Sequence, residues 1–270
     1  MSWRLVLAVW ASVVFVAAGQ APRKELPRAG EVFLVAGRTA FLIPAKVKAG
    51  APSKPWVWYA PTLPGLPGTE EGFLFDRFLN AGIAIAGVDV GESFGSPDGR
   101  RAFDALYAEM IEVRGYSRKP ILLGRSRGGL MTLSWAAENP EKVGGFAGIY
   151  PVCNVASYPG LAKAAAAYRM TPEELGTHLR EHNPVDRLAG LAKAGVPLFA
   201  IHGDVDTVVP LAENSGLVRE RYVALGGSMQ LIVPAGQGHN MWTGFFESSE
   251  LVAFVLKHAG PAVSTKPVAR

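Results

Sequence analysis

A chain of 270 residues, 49% hydrophobic and 19% charged, has an ordinary globular composition and is long enough to bury a substantial core as one domain. Its formal charge of +4 reflects a small excess of Lys and Arg (27) over Asp and Glu (23). The basic residues gather no further than pairs such as Arg23-Lys24 and Arg100-Arg101, which argues against a nucleic-acid partner and for a solvated surface. The single cysteine, Cys153, excludes an internal disulfide; with no base beside it in sequence, it reads as a buried structural thiol.

Met1–Arg4 gives a short basic start, Leu5–Ala18 a mostly apolar stretch, and Ala17, Ala18 and Gly19 the small residues of a cleavage region. This is the layout of a secretory signal peptide, and the stretch is shorter than the ~20 residues of a spanning helix. Residues 1–21 are accordingly expected to be a signal segment and 22–270 the mature domain. The protein is expected to be secreted or periplasmic, with no stable membrane insertion after cleavage and a bacterial source.

Beyond it, strand and helix patterns alternate. Val32–Val35 and Thr39–Pro44 flank Gly37-Arg38 as a hairpin, and Trp56–Ala60 is β-rich and stops at Pro61. Glu70–Ala81 carries Phe73, Leu74, Phe78 and Leu79 at helical spacing and ends at Gly82. Ile83–Asp89 is an apolar run of the kind buried on both faces of a parallel sheet. Arg100–Val113 predicts a helix, Ile121–Leu123 a strand, and Gly128–Asn139 a helix stopped by Pro140. Val143–Ile149, Val196–His202 and Met229–Val233 predict strands, and Phe245–His258 a closing amphipathic helix. The expected fold class is α/β: a three-layer α/β/α sandwich, its mostly parallel sheet led by an antiparallel hairpin. Residues 150–195 break the rhythm, with helical patterns at Ala162–Tyr168 and Pro172–Glu181, and are expected to form a small helical cap over the site.

The chemistry centres on Gly124-x-Ser126-x-Gly128-Gly129, with a strand pattern before it and a helix pattern after it. A serine on so sharp a turn is lifted clear of the sheet at a helix N-terminus, where N–H groups favour an oxyanion. A nucleophilic serine needs a base, and the base an orienting acid. After the strand Val196–His202 come Gly203, Asp204 and Asp206; after Met229–Val233 comes Gly236-Gln-Gly-His239, a histidine among glycines with no apolar face to bury it.

These segments (Gly124-x-Ser126-x-Gly128-Gly129, His202-Gly203-x-x-Asp206 with Val209-Pro210, and Gly238-His239) resemble the signatures of the α/β-hydrolase superfamily. The resemblance is to its single-domain esterases and prolyl-oligopeptidase-like catalytic domains, and it runs from about residue 30 to about residue 260. It implies Ser126 as nucleophile, His239 as base and Asp206 as the acid, with Asp204 as the alternative acid or a hydrogen-bonder to the turn. The oxyanion donors it implies are the N–H of Arg127 and one from the loop after Trp56–Ala60, where this chain lacks the usual His-Gly. Pro61 has no N–H to offer, so Thr62 or Leu63 is expected to serve.

Arg125 and Arg127 flank the serine; they read either as structural, with Arg125 paired to a helix carboxylate and Arg127 solvated, or as candidate substrate-binding residues for an acidic group, since guanidinium forks bind carboxylates. A Ser-Arg step also resembles the glucuronoyl esterases, although Arg125 and Leu130 depart from that motif. His178-Leu-Arg-Glu-His182 spells a zinc-peptidase pattern. With a serine triad elsewhere it reads as a solvated cap helix, and neither metal nor cofactor is expected. The expected function is hydrolysis of a small-molecule or oligosaccharide ester through an acyl-enzyme. The alternatives are a peptidase or amidase, disfavoured because no room exists for a propeller domain, and a non-catalytic binding protein of the same fold.

Overall fold

The computed structural model describes residues 23–46 and 54–260; the expected signal segment lies outside them. Strands β1 (Glu31–Val35) and β2 (Arg38–Ile43) form the hairpin. Its two turn residues, Ala36 and Gly37, both have positive φ (48° and 76°), the backbone that a two-residue turn needs to match the strand twist. Strands β3 (Trp56–Tyr59), β4 (Ala84–Val88), β5 (Ile121–Arg125), β6 (Gly145–Ile149), β7 (Leu198–Ile201) and β8 (Met229–Ile232) complete one eight-stranded sheet in the order β1-β2-β4-β3-β5-β6-β7-β8. β1–β2 and β2–β4 pair antiparallel, and every other pair is parallel. The α/β class with an antiparallel lead is thus what the chain adopts.

The helices are α1 (Gly72–Asn80), α2 (Pro97–Ala108), α3 (Gly128–Glu138), α4 (Leu161–Tyr168), α5 (Pro172–Thr177), α6 (Leu179–His182), α7 (Ala189–Lys193), α8 (Ser215–Ala224), α9 (Thr243–Phe246) and α10 (Ser249–Ala259). Period-two alternation along the strands assigns them to two layers. Trp56, Trp58, Ala86, Leu122 and Phe146 face α2, α3, α7 and α8 in one core. Val57, Tyr59, Ile85, Leu123 and Phe199 face α1 and α10 in the other. Among the described residues no helix is long and apolar enough to cross a membrane.

Several elements differ from expectation for local reasons. α2 begins at Pro97, three residues early, because Ser96 caps it and Pro suits the first helical position. The closing helix is two: the chain breaks at Glu247-Ser248, and Ser248 Oγ accepts the Leu251 N–H at 3.1 Å to start α10 afresh. α8 is unexpected, since its buried stripe is only Ser215, Val218 and Tyr222, with Arg219, Glu220 and Arg221 between. Residues 150–195 carry α4–α7; Val152, Val155 and the buried faces of α4 and α5 share a small core with Phe94, with Leu130 of α3 and with Val209.

Trp58 lies at the centre of the first core, fully buried in β3, with ring centroids 5.3 Å from Trp56, 4.8 Å from Trp135 and 5.1 Å from Phe103. Trp58→Ala is expected to lower unfolding free energy by about 3–5 kcal/mol, measured by urea denaturation; a loss below ~1 kcal/mol would show that this cluster is not a centre of stability.

Candidate active site

Ser126 follows β5 directly and has φ of +51°, a left-handed conformation that costs a residue with a Cβ. The turn is over-determined. Ser126 N–H donates to the Ile149 carbonyl at 3.0 Å, and its own carbonyl accepts from Gly129 N and Val152 N, both at 2.9 Å. Helix α3 therefore crosses back hard against β5: a Cβ on Gly124 would stand 2.8 Å from the Gly129 backbone. Only glycine permits that approach.

The hydroxyl so presented lies 2.9 Å from His239 Nε2, and His239 Nδ1 lies 2.8 Å from Asp206 Oδ2. A carboxylate only accepts, so Nδ1 carries the proton and Nε2 is left to accept from Ser126. The Asp206 side chain is fully buried, and its other oxygen, Oδ1, accepts the Val208 and Val209 N–H groups at 3.0 and 2.8 Å. Ser126, His239 and Asp206 are therefore in one continuous hydrogen-bonded line. Asp204 is not in it: its Oδ1 accepts the Gly236 N–H at 2.7 Å, bracing the loop that carries His239. The acid and histidine loops cross closely at Gly203, where a Cβ would collide with the Gln237 carbonyl. Val205 N–H donates to that same carbonyl at 3.1 Å.

Thr62 is buried beside the start of α3, with its methyl within 4 Å of the position a Cβ would take on Gly128. Among the described residues neither its N–H nor that of Arg127 donates to another protein group, which leaves both free for a ligand oxygen. Leu63, the alternative, is half exposed.

The two arginines do not stand as free cations. Arg125 Nη1 pairs with the fully buried Glu71 at 2.8 Å, its guanidinium lies over the Phe246 ring, and Nη2 faces Met241 sulfur at 3.0 Å. Burial works against that charge, but Tyr150, Glu71 and Tyr59 more than offset it and hold the guanidinium pKa above its ordinary value. Glu71 in turn accepts from Tyr59 Oη and the Gly68 N–H, so the buried carboxylate is fully partnered. Arg127 pairs with Glu92 at 2.8 Å and reaches Tyr158 at 3.4 Å. Of the two readings of these arginines, the structural one describes Arg125, which holds Glu71, while Arg127 is paired with Glu92 and not simply solvated.

The H-x-x-E-H segment, expected as a solvated helix, is interrupted at His178, which ends α5 and starts α6, so His178 and His182 do not share one helical face. His178 Nδ1 contacts the Glu174 carbonyl, while His182 packs on Tyr168. Among the described residues no group of three or more His, Cys, Asp and Glu is arranged to hold a metal. Cys153 is buried, and burial pushes its thiol pKa up, away from reactivity.

Four contributors were not flagged by sequence. Glu71 looks like the acidic first turn of a helix, Glu92 like a loop charge, and Tyr150 like the end of an apolar strand. The Tyr150 ring lies 4.4 Å from the His239 ring. His202 follows β7 directly and is completely buried, with Nε2 2.8 Å from the Val209 carbonyl and 3.3 Å from Asp206 Oδ2. Its place in His-Gly-x-x-Asp was the available signal.

With this geometry in view, comparison with known proteins is decisive at the level of family. A family model described as the prolyl oligopeptidase family matches residues 108–261, more than half of the chain. The chain belongs to the prolyl oligopeptidase family. Solved structures share its fold at low identity. A puromycin-hydrolyzing peptidase from Mycobacterium tuberculosis superposes with a TM-score of 0.69 at 16% identity, over 87% of this chain and 42% of that one. The acylaminoacyl peptidase of Pyrococcus horikoshii gives 0.67 at 15%, over 86% and 41%. An S-formylglutathione hydrolase from Agrobacterium tumefaciens gives 0.64 at 14%, over 86% and 94%. This family member thus spans about two fifths of the length of the two peptidases. No curated protein sequence matches it.

Two outcomes follow from the site's wiring. Asp206→Asn should lower kcat by about 10⁴-fold while Asp204→Asn costs far less; the reverse ranking in steady-state kinetics would contradict this geometry. The second concerns pH. Burial holds the His202 pKa below its ordinary value, against the pull of Val209 and Asp206. The unfolded chain, with a histidine pKa of about 6.5, therefore takes up the proton first. The His202 contribution is complete above about pH 6.5 and is lost as pH falls towards the folded value. Denaturation midpoints should fall over that window in the unaltered protein and fall less in His202→Gln.

Proposed function

We propose that this serine hydrolase cleaves carboxylic esters by transferring the acyl group to Ser126. Ser126 Oγ attacks the ester carbonyl and gives its proton to His239 Nε2. The resulting imidazolium is held by the Asp206 carboxylate, and the oxyanion by the N–H groups of Arg127 and Thr62. Collapse breaks the bond to the alkoxide, which leaves with the proton from His239; water then repeats the sequence and frees the acid. One observation carries this reading: the unbroken line of 2.9 and 2.8 Å contacts from the strained serine to a buried carboxylate.

Support for an ester lies in the surface around the triad, on a fold shared with a hydrolase named for S-formylglutathione, a thioester. Exposed Leu63, Val205, Val208, Met241 and Trp242, on the loops that carry the triad and Thr62, offer apolar surface to the acyl or alcohol group. Because Arg125 and Arg127 are each neutralised by a glutamate, a neutral ester suits the site better than an anionic one. The family match itself favours the second reading, a peptidase or amidase. Export with removal of residues 1–21 belongs to the proposal and is checked by N-terminal sequencing of protein from an exporting host.

A panel of neutral and uronate esters beside aminoacyl anilides decides the substrate class, with Ser126→Ala as control. The expected result is that esters exceed matched anilides in kcat/KM by more than tenfold, neutral esters lead, and Ser126→Ala removes several orders of magnitude. Faster anilide cleavage would establish the peptidase reading instead.

A further inference from the structure

The Asp206 carboxylate meets two imidazoles, not one. His202 faces it from the sheet, fully buried, and the contacts around His202 form a closed circuit. Ser215 Oγ lies 2.8 Å from His202 Nδ1; His202 Nε2 lies 2.8 Å from the Val209 carbonyl and 3.3 Å from Asp206 Oδ2. A carbonyl only accepts, so Nε2 carries the proton and Nδ1 accepts from the Ser215 hydroxyl. The peptide chemistry then continues: the Val209 carbonyl is held by His202, while the Val209 N–H donates to Asp206 Oδ1 at 2.8 Å. Both polar groups of one residue are thus used, one fixed by His202 and the other fixing the acid. Meanwhile the Nε2–H edge presents positive potential to Oδ2, the oxygen that receives His239.

We propose that His202, oriented by Ser215, is a positioning residue that holds the acid loop and the Asp206 carboxylate in the attitude His239 requires. The proposal rests on the serine-triad reading and extends it to two residues outside the reacting line. Among the described residues the titratable and hydroxyl groups around Asp206 are His239, His202, Tyr150 beside His239 and, through His202, Ser215. Without the Nε2 donor the Val209 carbonyl is buried and unpaired, and the peptide that pins Oδ1 can turn. A displacement of about 1 Å at this remove is enough to cost on the order of 10²-fold in rate without touching substrate binding.

The test uses the whole chain. His202→Leu keeps volume and removes the donor, whereas His202→Gln restores an N–H near the place of Nε2. His202→Leu should lower kcat by roughly 10- to 100-fold with KM within about twofold, and His202→Gln should recover most of that loss. The downfield proton resonance of His239 Nδ1–H should move in the Leu variant and stay in the Gln variant, which a packing role alone would not produce. Should His202→Leu fail to fold, Ser215→Ala carries the test: it frees Nδ1, and it should lower kcat several-fold at unchanged KM and shift the same resonance. Wild-type kcat and an unmoved resonance in either folded variant would overturn the proposal, as would equal losses in the Leu and Gln variants with the resonance in place. Fluorophosphonate labelling of the unaltered protein separates the two levels. Labelling with indifferent His202 variants sinks this inference alone, and absence of labelling sinks the triad reading and this inference with it.

Discussion

The left-handed turn at Ser126 is the constraint on which the other features depend. Holding a serine at φ +51° costs on the order of 1–3 kcal/mol, and the chain meets that cost through three backbone hydrogen bonds that join the ends of β5 and β6 to the first turn of α3. The glycine at 124 exists because that crossing leaves no space for a methyl group. Once the crossing is fixed, the hydroxyl stands at the carboxyl edge of a parallel sheet. That is where the loops after β7 and β8 must bring an acid and a base, as ligand sites in open α/β sheets commonly do.

Around that turn every charge near the nucleophile has a partner. Glu71 is buried beneath Arg125, Arg127 is held by Glu92, and Lys24 joins Asp89 to the Pro64 carbonyl on the loop that carries Thr62. Burial pushes the Asp89 pKa up against the pull of Lys24. Such pairs are weak sources of net stability, because desolvation consumes most of their attraction, but losing one member leaves a buried charge exposed to no counterion. Their consequence here is geometric. They tie the stretch between β3 and α1, the segment after β4 and Tyr158 to the two residues on either side of Ser126, whose own hydroxyl faces only His239.

The sheet and the reacting line were legible in sequence because each rests on a local pattern. Apolar runs marked β4 and β6, and Gly-x-Ser-x-Gly between a strand and a helix identified the elbow. The resemblance to the α/β-hydrolase signatures implied Asp206 as the acid, with Asp204 left as the alternative. What escaped depends on distance across the fold. α8 hid because Val218 and Tyr222 alone make its apolar stripe. Glu71 and Glu92 went unidentified, since nothing local announces that Arg125 and Arg127 will reach them across 54 and 35 positions. The helical pattern over Pro172–Glu181 did not show the break at His178, where α5 ends.

The central claim is that Ser126 is the group acylated through His239. The direct measurement is peptide mapping by mass spectrometry of the purified chain after reaction with a fluorophosphonate, with and without prior conversion of His239 to Ala. The account predicts one covalent adduct, on the peptide containing Ser126, formed rapidly in the unaltered protein and orders of magnitude more slowly in His239→Ala. An adduct on any other residue, or labelling of Ser126 at an undiminished rate without His239, would contradict it.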